Sequence, residues 1–110
     1  MATGDVVLLA GTDCPPENEE AFIKWYDEVH IPNIFSYAGT KEVTRYRIVN
    51  ENKDCPRHLV MYRISQDSFQ EWLKSPEAAA SSVDSKKGED RFGYKLKWGT
   101  RYQVVKEWKK

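Results

Sequence analysis

The sequence predicts a single α+β domain with the element order βαββαβ. Three observations carry that prediction. The apolar residues alternate between a strand-like period of two and helical spacing in that order. Proline, glycine and polar runs separate the segments. The length of 110 residues suits one hydrophobic core that needs neither disulfides nor metals.

The first strand is Asp5 to Gly11, an apolar run closed by glycine as in a central strand buried on both faces. Cys14-Pro15-Pro16 breaks it, and Asn18 with Glu19 and Glu20 offers a cap and first-turn carboxylates for helix one. Phe22, Trp25, Tyr26 and Val29 then fall on one stripe of that helix. Pro32 is expected to end it near His30, because a proline disfavours helical geometry in the residue before it. Lys41 to Val49 is rich in β-formers and reads as strand two, with a hairpin loop at 50–54. In strand three His58, Val60, Tyr62 and Ile64 alternate with Leu59, Met61 and Arg63.

Asp67-Ser68-Phe69-Gln70 has the form of a capping box, and Ser75-Pro76-Glu77 restarts the helix with a cap and a first-position proline. From Asp84 to Gly93 the polar, glycine-containing stretch predicts a mobile surface loop that carries Phe92 and Tyr94. A long final strand follows, with Leu96, Trp98, Tyr102 and Val104 expected toward the helices. That phase would turn Lys95, Lys97, Arg101 and Gln103 to the other face of the sheet and bury several charges if the face is covered. Two helices on one face of a four-stranded antiparallel sheet make the ferredoxin-like plan, whose second face a further copy of the chain can cover.

Composition excludes several functions. The 17 basic and 17 acidic side chains cancel, so the broad positive field of a phosphate-gripping protein is missing. An RRM-type use of the sheet also lacks the aromatic signature on the third strand. The first 55 residues carry five basic and ten acidic side chains and the rest twelve and seven, which interleave in one fold. Cys14 and Cys55 have no C-x-x-C spacing, and no leader or spanning segment is visible, so a cytoplasmic protein with free thiols is expected. Isolated His30 and His58 without clustered cysteines predict no metal, and no glycine-rich phosphate loop predicts a nucleotide; no cofactor is expected.

Trp25-Tyr26-Asp27-Glu28-Val29-His30-Ile31-Pro32-Asn33 resembles the W-Y-x-x-x-H-[IL]-P signature of EthD-like members of the dimeric α+β-barrel superfamily. Weaker likeness extends to Gly39, to Tyr46-Arg47 and to Phe69-x-x-Trp72-x-x-Ser75-Pro76. The resemblance implies a ferredoxin-like protomer whose sheet packs on a partner's sheet, with a cavity between each sheet and its helices. The superfamily includes polyketide cyclases, lactone isomerases and small oxygenases, so membership leaves the reaction open.

His30 is the first candidate for chemistry, since imidazole changes charge near neutral pH. Tyr26 stands one helical turn before it on the same edge of the stripe. A histidine at a helix end also serves to bind the last carbonyls, and that structural role remains open. Tyr46 is a second proton relay if its strand face is the inner one, whereas His58 reads as structural. Phe22, Trp25, Trp72 and Trp98 supply aromatic walls for an apolar pocket or an ordinary core. Phe92 and Tyr94 on their loop are suited to close over a ligand, or equally to pack against a partner. Two functions follow: a cofactor-independent cyclase or isomerase moving a proton on an apolar carbonyl compound, or a non-catalytic module binding an apolar or aromatic small molecule. Either is expected as a homodimer, without nucleic acid or membrane.

Overall fold

Strand pairing in the computed structural model, which describes residues 4–110, gives one antiparallel sheet in the order β2-β3-β1-β4. The strands are β1 (Val6–Asp13), β2 (Thr40–Arg47), β3 (His58–Ile64) and β4 (Lys95–Gln103). With the helical segments between β1 and β2 and between β3 and β4, this is the predicted ferredoxin-like α+β fold.

The two faces of the sheet differ because strand side chains alternate. His58, Val60, Tyr62 and Ile64 of β3 are buried beneath the helices. Their β1 partners are Thr12, Ala10, Leu8 and Val6. Phe22, Ile64 and Val60 are the most completely buried large side chains of the core. At about 1.5–3 kcal/mol for each fully buried apolar side chain, this layer fixes helix against sheet. On the opposite face Val7, Leu9, Leu59 and Met61 are only partly covered.

From Trp98 onward the final strand runs in the opposite phase to the one predicted, whereas Leu96 faces the helices as expected. Tyr102 pairs with Val7 and Trp98 with Gly11, so both face the open side, whereas Arg101 pairs with Leu8 and faces the helices. A bulge opposite Gly11/Thr12 leaves Lys97 as an extra residue and turns Leu96 back to the helix side. Alternation alone does not say which set goes inward. Here Trp98 and Tyr102 lie on the open face and Arg101 and Gln103 on the helix side, at an edge strand from which long side chains reach water. Lys95 pairs with Asp13 in the ladder, and Lys97 bonds the Asp13 carboxylate at 3.3 Å. The expected burial of several charges on the open face therefore largely disappears. Arg63 remains there, and it bonds Asp5 at 2.9 Å and Glu107 at 2.7 Å. Burial opposes ionisation of Asp5, but Arg63 and Lys41 outweigh it and hold its carboxyl below the usual range.

Helix one does not stop at Pro32. It runs as α1 (Glu19–Trp25), a π-helical turn over Tyr26–His30, and α2 (Ile31–Phe35). The Ile31 N–H donates to the Tyr26 carbonyl five residues back. Proline lacks a donor and its ring collides with the carbonyl four residues earlier in a regular helix. The widened turn just before Pro32 accommodates both defects without ending the helix. Asn18 does not cap α1 with its side chain but donates to the Phe92 carbonyl at 2.9 Å, tying the far end of the second helical layer.

That layer comprises α3 (Gln66–Trp72) and α4 (Pro76–Phe92). The cap of α3 is Ser65, two residues before the predicted Asp67, and Ser75 caps α4 by accepting from the Ala78 N–H at 3.0 Å. The predicted mobile loop at 84–93 is helix. Its charged residues form the solvated face, and buried Gly88 and Phe92, four apart, mark the inward edge. Gly93, at φ +71°, ends α4 in the left-handed conformation that glycine takes at little cost.

Candidate functional site

The helix side of the sheet is not packed solid. A cavity of about 390 Å³ lies above β1 and β4. Ala10 and Gly99, paired across those strands, leave its floor low. Leu8 and Leu96 flank the floor, and Phe69, Trp72 and Ile34 supply apolar walls. A Cβ added to Gly99 would meet nothing nearer than Leu96 Cδ2 at 3.6 Å, so existing packing leaves room for a side chain there. The volume falls within the range of small-molecule sites.

The helical turn around Pro32 delivers the polar groups. Tyr26 and His30, at the two ends of the π turn, both line the cavity, and their ring centroids are 5.0 Å apart. His30 is 6% exposed. Trp25 stacks against its imidazole at 5.4 Å with an interplanar angle of 16°. Trp25 is in turn seated on Gly88 of α4, where its ring occupies the space a side chain would take. Asn33 donates to Asp84 and links α2 to α4 beside this stack.

Burial lowers the His30 pKa below its ordinary 6.5, against a weaker opposing pull from Asp84. The imidazole is therefore neutral at pH 7. Its Nδ1 is sealed from solvent and has no hydrogen-bond partner among the described residues. No acceptor then fixes the tautomer, and the ring can present a lone pair or an N–H to a ligand.

Three phenols share the cavity: Tyr26, Tyr62 and Tyr94. Burial pushes Tyr26 up to about 12 and Tyr62 well above the usual phenol value. Burial also raises Tyr94, whose hydroxyl donates to the Ser85 carbonyl at 3.1 Å. All three stay protonated, and Tyr26 and Tyr62 are left with O–H groups that can donate to a ligand. Tyr26 and Tyr62 approach closely enough to bias each other's ionisation, yet the Tyr62 hydroxyl has no well-formed hydrogen bond among the described residues. A buried hydroxyl left so is costly, and a ligand oxygen would satisfy it. The arrangement combines a neutral imidazole with protonated phenols in a largely apolar pocket, the groups needed to take a proton from carbon while holding a carbonyl oxygen.

Of the residues singled out from the sequence, His30, Tyr26 and Trp72 meet in this cavity. Trp25 lies behind His30, and Phe22 is wholly buried among Tyr26, Tyr94 and Phe92. Phe92 is buried core at the end of α4, not an exposed lid, because the segment that carries it is helical. Tyr46 and Trp98 are elsewhere. Tyr46 pairs with Leu59, and Leu59 and Trp98 both pair with Gly11, so one row on the open face holds them away from His30. His58 bonds Glu19 at 3.0 Å under the edge of Phe22, as a structural histidine would. Sequence reasoning gave no site role to Tyr62, Gly99 or Arg101. The alternation of β3 that groups Tyr62 with buried Val60 and Ile64 was the available signal.

Among the described residues no three His, Cys, Asp or Glu side chains gather as a metal site needs. No described helix is long and apolar enough to cross a membrane.

Comparison with known proteins agrees with this architecture. A family model described as "Domain of unknown function (DUF4286)" matches residues 7–105. No curated protein matches the sequence. Among solved structures, an EthD family protein from Bacillus halodurans superposes with a TM-score of 0.70 at 21% identity, covering 92% of this chain and 99% of the other. HapK from Hahella chejuensis gives 0.68 at 7% identity, covering 96% and 97%. A dimeric ferredoxin-like protein from Thermobifida fusca gives 0.58 at 11% identity, covering 94% and 92%. At these identities the likeness establishes the shared fold.

Proposed function

From the premise that this chain belongs to the DUF4286 family, we propose that it is a small cofactor-independent enzyme of cyclase or isomerase type. It moves a proton on an apolar carbonyl compound held in the His30 cavity. The observation that carries the reading is the neutral, buried imidazole of His30 set 5.0 Å from a phenol in an apolar cavity. His30 removes a proton from the carbon beside the carbonyl and becomes imidazolium. The enolate oxygen is held by the Tyr26 and Tyr62 hydroxyls. The imidazolium then gives the proton back, to carbon at a new position for isomerisation, or, for cyclisation, to the alkoxide oxygen formed when the enolate carbon attacks a second carbonyl of the substrate and its C=O π bond opens. A tautomer left unfixed by the protein suits a group that both takes and gives the proton.

The working unit in this proposal is a homodimer joined through the open sheet faces. Tyr46, Trp98 and Tyr102 are 47%, 40% and 59% exposed there, beside the partly covered Leu9, Leu59 and Met61. An aromatic patch of that kind on a sheet face marks an association surface. The Thermobifida fusca protein, similar in fold, is described as dimeric.

The test is exchange of the α-protons of 2-tetralone for deuterium, followed by proton NMR. Wild-type protein is expected to accelerate exchange, and His30→Ala to lose about a hundredfold or more of that acceleration, in line with general acid–base catalysis. Tyr26→Phe should lose less. Equal exchange with wild type and His30→Ala would remove the proposed role of the imidazole.

A further inference from the structure

Arg101 and Glu89 are the charged side chains in the cavity wall that the proposed proton transfer does not use, and Arg101 is the cation of the two. Its position is set by the sheet. Arg101, Leu8, Tyr62 and Val43 form one row across the helix side, in strand order β4, β1, β3 and β2. The Arg101 and Tyr62 backbones are two strand spacings apart, roughly 10 Å. Leu8 lies directly between them, and the low floor made by Ala10 and Gly99 is the next row along the same face. The guanidinium sits over the Phe69 ring at 5.5 Å, which holds the arm against the cavity wall. Among the described residues it has neither ion pair nor hydrogen bond. The other nearby charge is Glu89, which also lines the cavity.

We infer that the cavity binds a planar, carboxylate-bearing aromatic compound, its carboxylate on Arg101 and its carbonyl or phenolic oxygen toward Tyr26 and Tyr62. A guanidinium seated on an aromatic ring, with no ion pair or hydrogen bond among the described residues, offers the paired N–H donors that match a carboxylate. The Ala10–Gly99 floor, one row along the sheet from the line that joins anchor and phenols, takes a flat ring system, with Phe69 and Trp72 beside it. Glu89 sets the orientation, because an anion placed at its end of the cavity meets like charge. This inference rests on the reading of the cavity as the reaction site and adds the class of molecule that enters it.

The experiment is calorimetric titration of the whole protein with 2-naphthoate and with its neutral counterpart 2-naphthamide, repeated on Arg101→Met and Gly99→Leu. The expected result is that naphthoate binds at least tenfold more tightly than naphthamide, and that Arg101→Met removes this preference while leaving naphthamide unchanged. Raising salt should weaken naphthoate alone. Gly99→Leu, which fills the floor without a backbone clash, should abolish both. Naphthamide binding as well as naphthoate, or an unaltered preference in Arg101→Met, overturns the carboxylate assignment, and the cavity still stands if Gly99→Leu abolishes binding. Binding of both probes that is indifferent to Gly99→Leu, or binding of neither, overturns the inference together with the cavity reading beneath it.

Discussion

Replacing Gly88 by alanine should destabilise this protein, although glycine to alanine inside a helix ordinarily does the reverse. An unstrained substitution of that kind gains about 0.5–1 kcal/mol. Here a Cβ would lie 2.5 Å from Trp25 Cη2, with two further ring atoms at 2.8 and 2.9 Å. The indole is rigid, so either its ring plane or α4 must move. Overpacking of this sort costs about 1–3 kcal/mol, and with three ring atoms inside 3.0 Å the upper half of that range applies, which leaves a net loss of about 1–2 kcal/mol after the helix gain. For a domain of this size that corresponds to a fall in Tm of about 4–8 °C. Thermal denaturation followed by circular dichroism measures it. Because Trp25 is stacked on His30, exchange of 2-tetralone protons should also slow. A rise in Tm would show that Trp25 does not rest on Gly88, and would refute the packing that holds the imidazole.

Other outcomes follow from the same geometry. Pro32→Ala restores a backbone donor and removes the ring that the π turn accommodates, so the helix should regularise and misalign Tyr26 with His30; proton exchange should fall about tenfold to a hundredfold with the fold retained by circular dichroism. The His30 pKa is lower folded than unfolded, so below about 6.5 the unfolded chain binds the extra proton and stability declines as pH falls toward the folded pKa. Asp5, also depressed but by its cationic partners, adds a second loss at lower pH, below its ordinary 3.8. Tm measured from pH 7 to 5 should therefore drop in wild type and drop less in His30→Phe. Trp98→Lys places a charge on the open sheet face and should convert the proposed dimer to monomer in light scattering, whereas a dimer that persists would move the association surface elsewhere.

The sequence revealed the fold more fully than the site, for reasons visible in particular residues. Strand and helix order follow from periodicity, and the motif from Trp25 to Asn33 placed Tyr26 and His30 together. Periodicity does not reveal phase, however. Trp98 and Arg101 alternate just as well with either one inward, and the bulge at Lys97 that separates Leu96 from Trp98 leaves no mark in composition. Tyr46 went astray for the same reason. The α4 segment from Asp84 to Arg91 read as loop because its inward edge is a glycine, and only the Trp25 ring across from it shows why. Pro32 normally announces a helix end, and the π turn that lets the helix continue depends on hydrogen bonding no single residue type encodes. The cavity itself is a gap left by Ala10 and Gly99 on different strands, which becomes a feature only once β1 and β4 are paired.

The claim that His30 is a neutral imidazole held in an apolar cavity is tested most directly by long-range proton–nitrogen NMR of the histidine ring, titrated from pH 8 to 4.5 with His30→Gln as the assignment control. The expected result is a ring that remains neutral at pH 7, titrates below 6.5, and shifts when 2-naphthoate is added to wild-type protein but not to Gly99→Leu. A His30 that is protonated at pH 7, or that ignores the cavity's occupant, would contradict both the base and the site.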